Sequence, residues 1–264
     1  LDLPGFDFFA WDARGHGLSP GARGDSPSFA TSVRDVQTFC EHLSASYQIF
    51  EENLAVIAQS VGAVIVATWA HDYAPRIRAL VLASPAFKVK LYVPFARQGL
   101  ALMRRWRGNF FVNSYVKARF LSHDPQRVAS YDNDPLITKA ISVNVLLGLY
   151  EAADRVVADA QAITIPTQLL ISGADFVVHR KPQEQFFERL GTLHKEKHVL
   201  PGFFHDTLGE KNRGHAVASA RRFILQTFAQ PIERPGLLAA DRLGLTCAES
   251  ESLAAPLPRN SLRD

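Results

Sequence analysis

One stretch restricts what this chain can fold into more than any other. Leu54 to Ala58 is a short apolar run of strand length, it breaks at Gln59-Ser60, and Val61 to Ala74 continues at helix length with an Ala-rich composition. A strand, a one-residue corner and a helix in that order push the corner side chain out of both elements, with the positive end of the helix beneath it. Ser60 occupies that corner, and the small residues Ala58 and Gly62 on either side would let the two backbones pass close together. The spacing Gly-x-Ser-x-Gly is met at every position except the first, where Ala58 stands. Two readings of Ser60 follow from the local pattern: an exposed nucleophile, or a serine that caps the helix.

The surroundings extend the alternation of strand and helix. Phe6 to Trp11 reads as a strand, and the turn-rich Asp12 to Ser19 follows it. Neither a GxGxxG nor a Walker spacing is present there, so a nucleotide loop is not supported. Asp12 and Arg14 are expected to pair with each other or with backbone groups, and His16 is expected to be a loop residue. Apolar residues at Phe29, Val33, Val36, Phe39, Cys40 and Leu43 have helical spacing over 29–47. Ile77 to Ser84, Thr167 to Ser172 and Lys197 to Leu200 read as strands, and 183–190 and 215–228 as helices. This succession predicts an α/β fold, a mostly parallel sheet covered by helices on both faces, with ligands at the carboxyl ends of its strands.

Between the predicted strands at Ile77 to Ser84 and Thr167 to Ser172 the pattern changes. From Phe87 to Phe120 there are eight basic residues, Lys88, Lys90, Arg97, Arg104, Arg105, Arg107, Lys117 and Arg119, and no acidic one, interleaved with Tyr92, Phe95, Trp106, Phe110, Phe111 and Tyr115. A solvated basic face and a surface that rests on anionic lipid headgroups both suit this run. No nucleic-acid module is present, and the net charge of +3 is too small to argue for one, so no nucleic-acid partner is expected. The stretch 128–163 is mostly helical in pattern.

At 264 residues, 47% hydrophobic and 21% charged, the chain can bury one large core, or one core with an inserted subdomain. Cys40 and Cys247 are the only cysteines, too few for a disulfide framework and not in a metal-binding spacing; a reducing, cytoplasmic compartment is expected. No apolar run reaches membrane-span length and no signal-peptide pattern opens the chain. The first residue is Leu1, just ahead of a predicted strand, so the chain is expected to be a piece of a longer protein, and any localisation signal is expected upstream.

Acyl transfer from an unactivated ester needs a nucleophile, a base that takes its proton, and an acid that holds the base in the right tautomer. Ser60, Asp175 and His205 occur in that chain order, each at the carboxyl end of a predicted strand, as expected of α/β-hydrolases. Asp175 could equally cap the helix that follows it. His42 and His71 fall inside predicted helices and His198 inside a strand, His179 shares the loop of Asp175, and His205 is the best-placed imidazole.

The segments Ala10 to Ser19, Gln59 to Gly62, Asp132 to Leu136, Ser172 to Asp175 and the His205 loop resemble the monoacylglycerol lipase and lysophospholipase-like branch of the α/β-hydrolases. The resemblance runs from about Phe6 to Phe228. It implies a hydrolase core in 1–86 and 164–229, and a helical lid in 87–163 that shapes an acyl-chain pocket. It implies Ser60 as nucleophile, Asp175 and His205 as its partners, and the Val61 backbone N–H as one oxyanion donor, with no metal or organic cofactor. The family's other donor comes from a His-Gly loop that would precede Leu1, and with it absent the chain is expected to be impaired, since one donor carries about 100- to 1000-fold in turnover. The implied activity is cleavage of lipid carboxylic esters, monoacylglycerol or lysophospholipid; a general carboxylesterase, a small peptidase and a silent lipid- or partner-binding domain are the alternatives. Residues 230–264 are expected to be a poorly ordered tail or linker, and 236–246 resembles the joint that leads into a methyltransferase domain in some bacterial relatives.

Overall fold

In the computed structural model, the described residues are 3–90, 93, 95–113 and 116–231. The chain divides into two units, 1–230 and 231–264. The expected tail, 230–264, falls in the second unit apart from Gln230; beyond Gln230 and Pro231 it lies outside the described residues, as does the methyltransferase joint at 236–246.

Helix α1 (Phe29–Tyr47) opens at Ser28, whose hydroxyl accepts the Thr31 N–H, and it buries Phe29, Val33, Val36, Cys40 and Leu43 along one face. Strand β1 (Ala55–Gln59) leads directly into α2 (Ser60–Tyr73), and β2 (Ala79–Ala83) follows. The chain then makes a long excursion through α3 (Ala96–Arg107), β3 (Phe111–Asn113), α4 (Pro125–Asn133), β4 (Ala140–Ser142) and α5 (Val143–Ala158). It returns through β5 (Thr167–Ser172), α6 (Arg180–Arg189), β6 (Lys195–Leu200) and α7 (Gly214–Ala229).

The main sheet has the order β1-β2-β5-β6, and all its pairings are parallel. Its two central strands are wholly buried, as a sheet covered on both faces requires. Alternate side chains divide between two cores. Leu80, Leu82, Leu169 and Ile171 pack with α1, α2, α5 and α6, while Ala79, Val81, Ala83 and Leu170 pack with α7. The carboxyl ends of all four strands therefore face one edge, and the loops that leave them meet there.

Three expectations change. Phe6 to Trp11 is not a strand. Its composition suits one, but a strand needs a neighbour's N–H and C=O groups, and among the described residues the β1 ladder runs only to β2. Instead its rings find aromatic partners, Phe6 on Phe228 at 4.9 Å, Phe9 on Tyr47 at 5.0 Å and Trp11 on Phe39 at 4.5 Å. The excursion is not purely helical, because β3 and β4 form an antiparallel pair. Nor does all of 87–163 stand outside the core, since α5 contributes Leu149, Ala153 and Val156 to the same cluster as α1 and α2. A small satellite cluster of Val143, Leu147 and Tyr150 seats Leu100, Phe110 and Val112 of the excursion on α5.

Candidate active site

The turn from β1 into α2 puts Ser60 in the left-handed region, with φ of +55°. A non-glycine residue held there costs on the order of 1–3 kcal/mol and persists only where its surroundings fix it. The strain thus sits on the serine itself, and Ala58 is not among the positive-φ residues. The expected close approach at Gly62 is absent: a Cβ there would meet nothing within 4 Å. Val61 follows in the first helical turn, where an N–H has no acceptor within the helix.

Ser60 Oγ lies 2.6 Å from His205 Nε2, and His205 Nδ1 lies 2.8 Å from Asp175 Oδ2. An ionised carboxylate only accepts, so Nδ1 carries the proton and Nε2 is left to accept from the serine hydroxyl. The imidazole is buried, with 5% of the residue exposed. Asp175 does not cap α6, whose N-cap is His179. Its second oxygen accepts instead from the N–H groups of Val177 and Val178, at 2.7 and 3.0 Å, which fixes the carboxylate plane. The strand-like segment after β2 braces this loop: the Lys90 N–H donates to Val177 O, the His179 N–H donates to Lys88 O, and Lys90 Nζ donates to Asp175 O. Burial, then Lys88 and Lys90, hold the His179 imidazole below its usual range.

Two devices bring the loops this close. The Gly173 N–H donates to Leu200 O at 2.8 Å, and a Cβ on Gly173 would sit 2.8 Å from that oxygen, so the crossing of the two loops requires glycine. Beneath the histidine, Ser84, Ser172 and Thr207 are all buried, with Thr207 Oγ1 2.8 Å from Ser84 Oγ and 2.9 Å from Ser172 Oγ. Ser84 is itself strained, at φ +39°. This hydroxyl chain fastens the ends of β2 and β5 to the histidine loop.

Sequence reasoning missed several of the residues that hold the site. Gln59, directly before Ser60, donates from Nε2 to Asp206 Oδ1 at 2.8 Å and accepts the Leu208 N–H at 2.9 Å. Glu210, 2% exposed, receives the N–H groups of Phe204, His123 and Lys211 and faces His123 Nδ1 at 2.6 Å. Burial pushes the Glu210 carboxyl up, but the bonds from Phe204 and His123 outweigh it and hold it below the usual range. The only local signal is the polar Gln59 beside Ser60 in an otherwise apolar run; Glu210 lies in a mixed polar segment that does not single it out.

Other residues singled out from the sequence have local partners. Asp12 accepts the Leu18 N–H, as a backbone partner was expected, but Arg14 pairs with Asp35 of α1 and not with Asp12. His16 Nδ1 meets Arg14 O within its own loop. Among the described residues no group of three or more His, Cys, Asp or Glu side chains is arranged to hold a metal ion.

A parallel sheet with helices on both faces and a strained serine at the strand-to-helix corner defines an α/β-hydrolase. The chain belongs to the family described as serine aminopeptidase, S33 (Hydrolase_4), which matches residues 1–212. Monoglyceride lipases are among the proteins it is similar to. The Escherichia coli (strain K12) protein YnbC is 61% identical over 234 residues, which is 89% of this chain and 40% of that protein, so the chain spans less than half of it. The mouse monoglyceride lipase is 27% identical over 77% of this chain and 68% of its own length. Among solved structures, the Paleococcus ferrophilus monoacylglycerol lipase superposes with a TM-score of 0.73 at 22% identity, covering 82% of this chain and 81% of its own. At that identity the likeness is one of fold. The mouse and Paleococcus ferrophilus proteins are named as lipases of monoglycerides.

Proposed function

We propose that the chain is a serine hydrolase that cleaves carboxylic esters of lipids, monoacylglycerol or lysophospholipid, through an acyl-enzyme. The observation that carries this reading is the unbroken line from Ser60 Oγ through His205 to Asp175, at 2.6 and 2.8 Å. Ser60 attacks the ester carbonyl while its proton passes to His205 Nε2, and the imidazolium so formed is stabilised by Asp175. The Val61 N–H, at the positive end of α2, faces the oxygen that gains charge. As the tetrahedral intermediate collapses, Nε2 returns the proton to the departing alcohol. Water then enters, gives a proton to Nε2 and releases the fatty acid, restoring the serine hydroxyl.

The excursion from Phe95 to Ser142 acts in this reading as the lid over an acyl-chain pocket. Its α3 also suits peripheral contact with an anionic membrane. Phe95 (80%), Leu102 and Trp106 (85%) are exposed on or beside a helix that carries Arg104, Arg105 and Arg107.

A fluorophosphonate probe tests the reading. Labelling is expected on the full chain and is abolished in Ser60→Ala and in His205→Ala with the fold intact; labelling that survives Ser60→Ala, or none in the folded chain, overturns it. A panel of monoacylglycerol, lysophospholipid, p-nitrophenyl butyrate and an N-terminal aminoacyl anilide then separates lipase, esterase and peptidase, with the lipid esters expected to be preferred.

A further inference from the structure

Both neighbours of His205 are tied to one short segment of the excursion, Phe120 to Arg127. On one side, the Phe204 ring stacks on His123 with centroids 3.7 Å apart. On the other, the Asp206 N–H donates to Leu121 O at 2.8 Å, and Asp206 Oδ2 faces Arg127 Nη2 at 2.9 Å. Ser122 Oγ donates to Gly209 O at 3.0 Å. Glu210 gathers these ties, because one carboxylate receives the Phe204 N–H of the histidine loop together with the backbone N–H of His123, while facing the His123 ring. The acid of the site is reached too: Phe176, next to Asp175, packs against Phe120 at 5.4 Å and against Phe204 at 5.1 Å.

Packing of the loop alone does not call for this. The Ser84–Thr207–Ser172 hydroxyls already pin it to the sheet. The second set of bonds runs outward, from the flanks of the imidazole to the excursion. It also uses a buried carboxylate, which is costly to bury unless its bonds are made.

We propose that Glu210 and Asp206 are positioning residues for His205, and that through them the seat of Phe120–Arg127 sets the alignment of the imidazole. This rests on the hydrolase reading of the site and adds its regulation: whatever displaces the 120–127 segment, an acyl chain or a surface pressing on the excursion, moves the base as well. In Glu210→Gln one carboxylate oxygen becomes an N–H₂ that confronts the donors it formerly accepted, so the loop loses its register without losing volume.

The test measures kcat and KM for p-nitrophenyl butyrate and the downfield proton resonance of His205 Nδ1–H in the full chain. Glu210→Gln is expected to lower kcat about 10- to 100-fold, in the range set by a misplaced catalytic group, with KM within about twofold. The resonance shifts or broadens while thermal unfolding shows a folded protein. His123→Ala combined with Glu210→Gln lowers kcat no further than Glu210→Gln alone. A folded Glu210→Gln with wild-type kcat and an unmoved resonance overturns the proposal. If Glu210→Gln does not fold, the exposed Arg127→Gln decides: a several-fold drop in kcat with a moved resonance upholds it, and wild-type values for both overturn it. The resonance needs no turnover, so a chain without hydrolase activity still answers the question of position, and the probe result above answers that of activity.

Discussion

The carboxyl edge of the sheet and the excursion from Phe95 to Ser142 are built on opposite terms. At the sheet edge, two non-glycine residues, Ser60 and Ser84, hold positive φ, and Ser84, Ser172, Thr207, His205 and Glu210 are all buried and bonded. In the excursion, Phe95, Leu102, Met103, Trp106 and Phe111 are exposed, α3 and α4 bury no residue, and the two strands are three residues each. Strain survives at the sheet edge because polar bonds on several sides over-determine the backbone. The α3–β3 part of the excursion rests on one small cluster and so can shift at low cost, whereas Phe120 to Arg127 is bonded to the histidine loop. In the proposed hydrolase reading, the sheet edge moves a proton and needs distances fixed to tenths of an ångström, whereas a lid over ligands of varied shape gains from being loosely seated.

The largest difference between the two is expected in activity. Asp175→Asn keeps the volume of the acid but offers an N–H₂ toward His205 and favours the wrong tautomer, so kcat for a soluble ester falls about 10⁴-fold. Trp106→Ala, in the excursion, leaves kcat for p-nitrophenyl butyrate within about twofold and weakens only binding to anionic vesicles. Steady-state kinetics and vesicle sedimentation on the two variants check this. A large kcat loss in Trp106→Ala would erase the distinction between the regions.

Stability should separate them next. Leu169 is fully buried in a central strand, and Leu169→Ala is expected to cost about 2–5 kcal/mol in denaturant unfolding. Leu102→Ala, on exposed α3, stays within about 0.5 kcal/mol. Equal losses would mean that the excursion is packed as firmly as the core.

The same contrast decides what could be read from the chain beforehand. Helix α1 and strand β5 occupy the ranges their apolar spacing predicts, because one face or both of each is buried in the core and burial writes a period into the residues. Ser60, Asp175 and His205 stand out because each interrupts such a pattern at a strand end. Gln59, Asp206, Glu210 and His123 do not: their partners lie 147 residues away for Gln59–Asp206 and 87 for His123–Glu210, and nothing local marks a hydrogen bond that long-range packing creates. Phe6 to Trp11 fails for the complementary reason. Its aromatic residues suit a pleated surface, yet a strand is a property of two segments and local sequence describes only one. The β3–β4 pair was missed because three-residue strands are too short to show a period.

Helix α5 offers the finest comparison, since its adjacent residues Asp154 and Arg155 reach the excursion and a helix of the core respectively. Arg155 forks onto both oxygens of Asp72 on α2, with Nη2 to Oδ2 at 2.8 Å, and Asp72 also meets His71 Nδ1 at 2.7 Å. Asp154 accepts a single bond from Arg97 on α3, at 2.6 Å, with both side chains largely exposed. The hydrogen bond from Arg155 holds the Asp72 carboxyl below its usual range. A carboxyl whose folded pKa is depressed stabilises the native state above its unfolded value, about 4, and that contribution is lost as pH falls through the folded value. Asp72→Asn is therefore expected to cost about 0.5–1 kcal/mol at pH 7, an amount that shrinks toward zero in acid below about pH 4. Asp154→Asn should cost less than about 0.5 kcal/mol at pH 7, because a single exposed bond is screened by solvent and salt. Urea unfolding at pH 7 and near pH 3, at low and high salt, resolves the two. If Asp154→Asn is the more costly at pH 7, α3 is clamped to α5 by charge, and the excursion is not the loosely seated region described above.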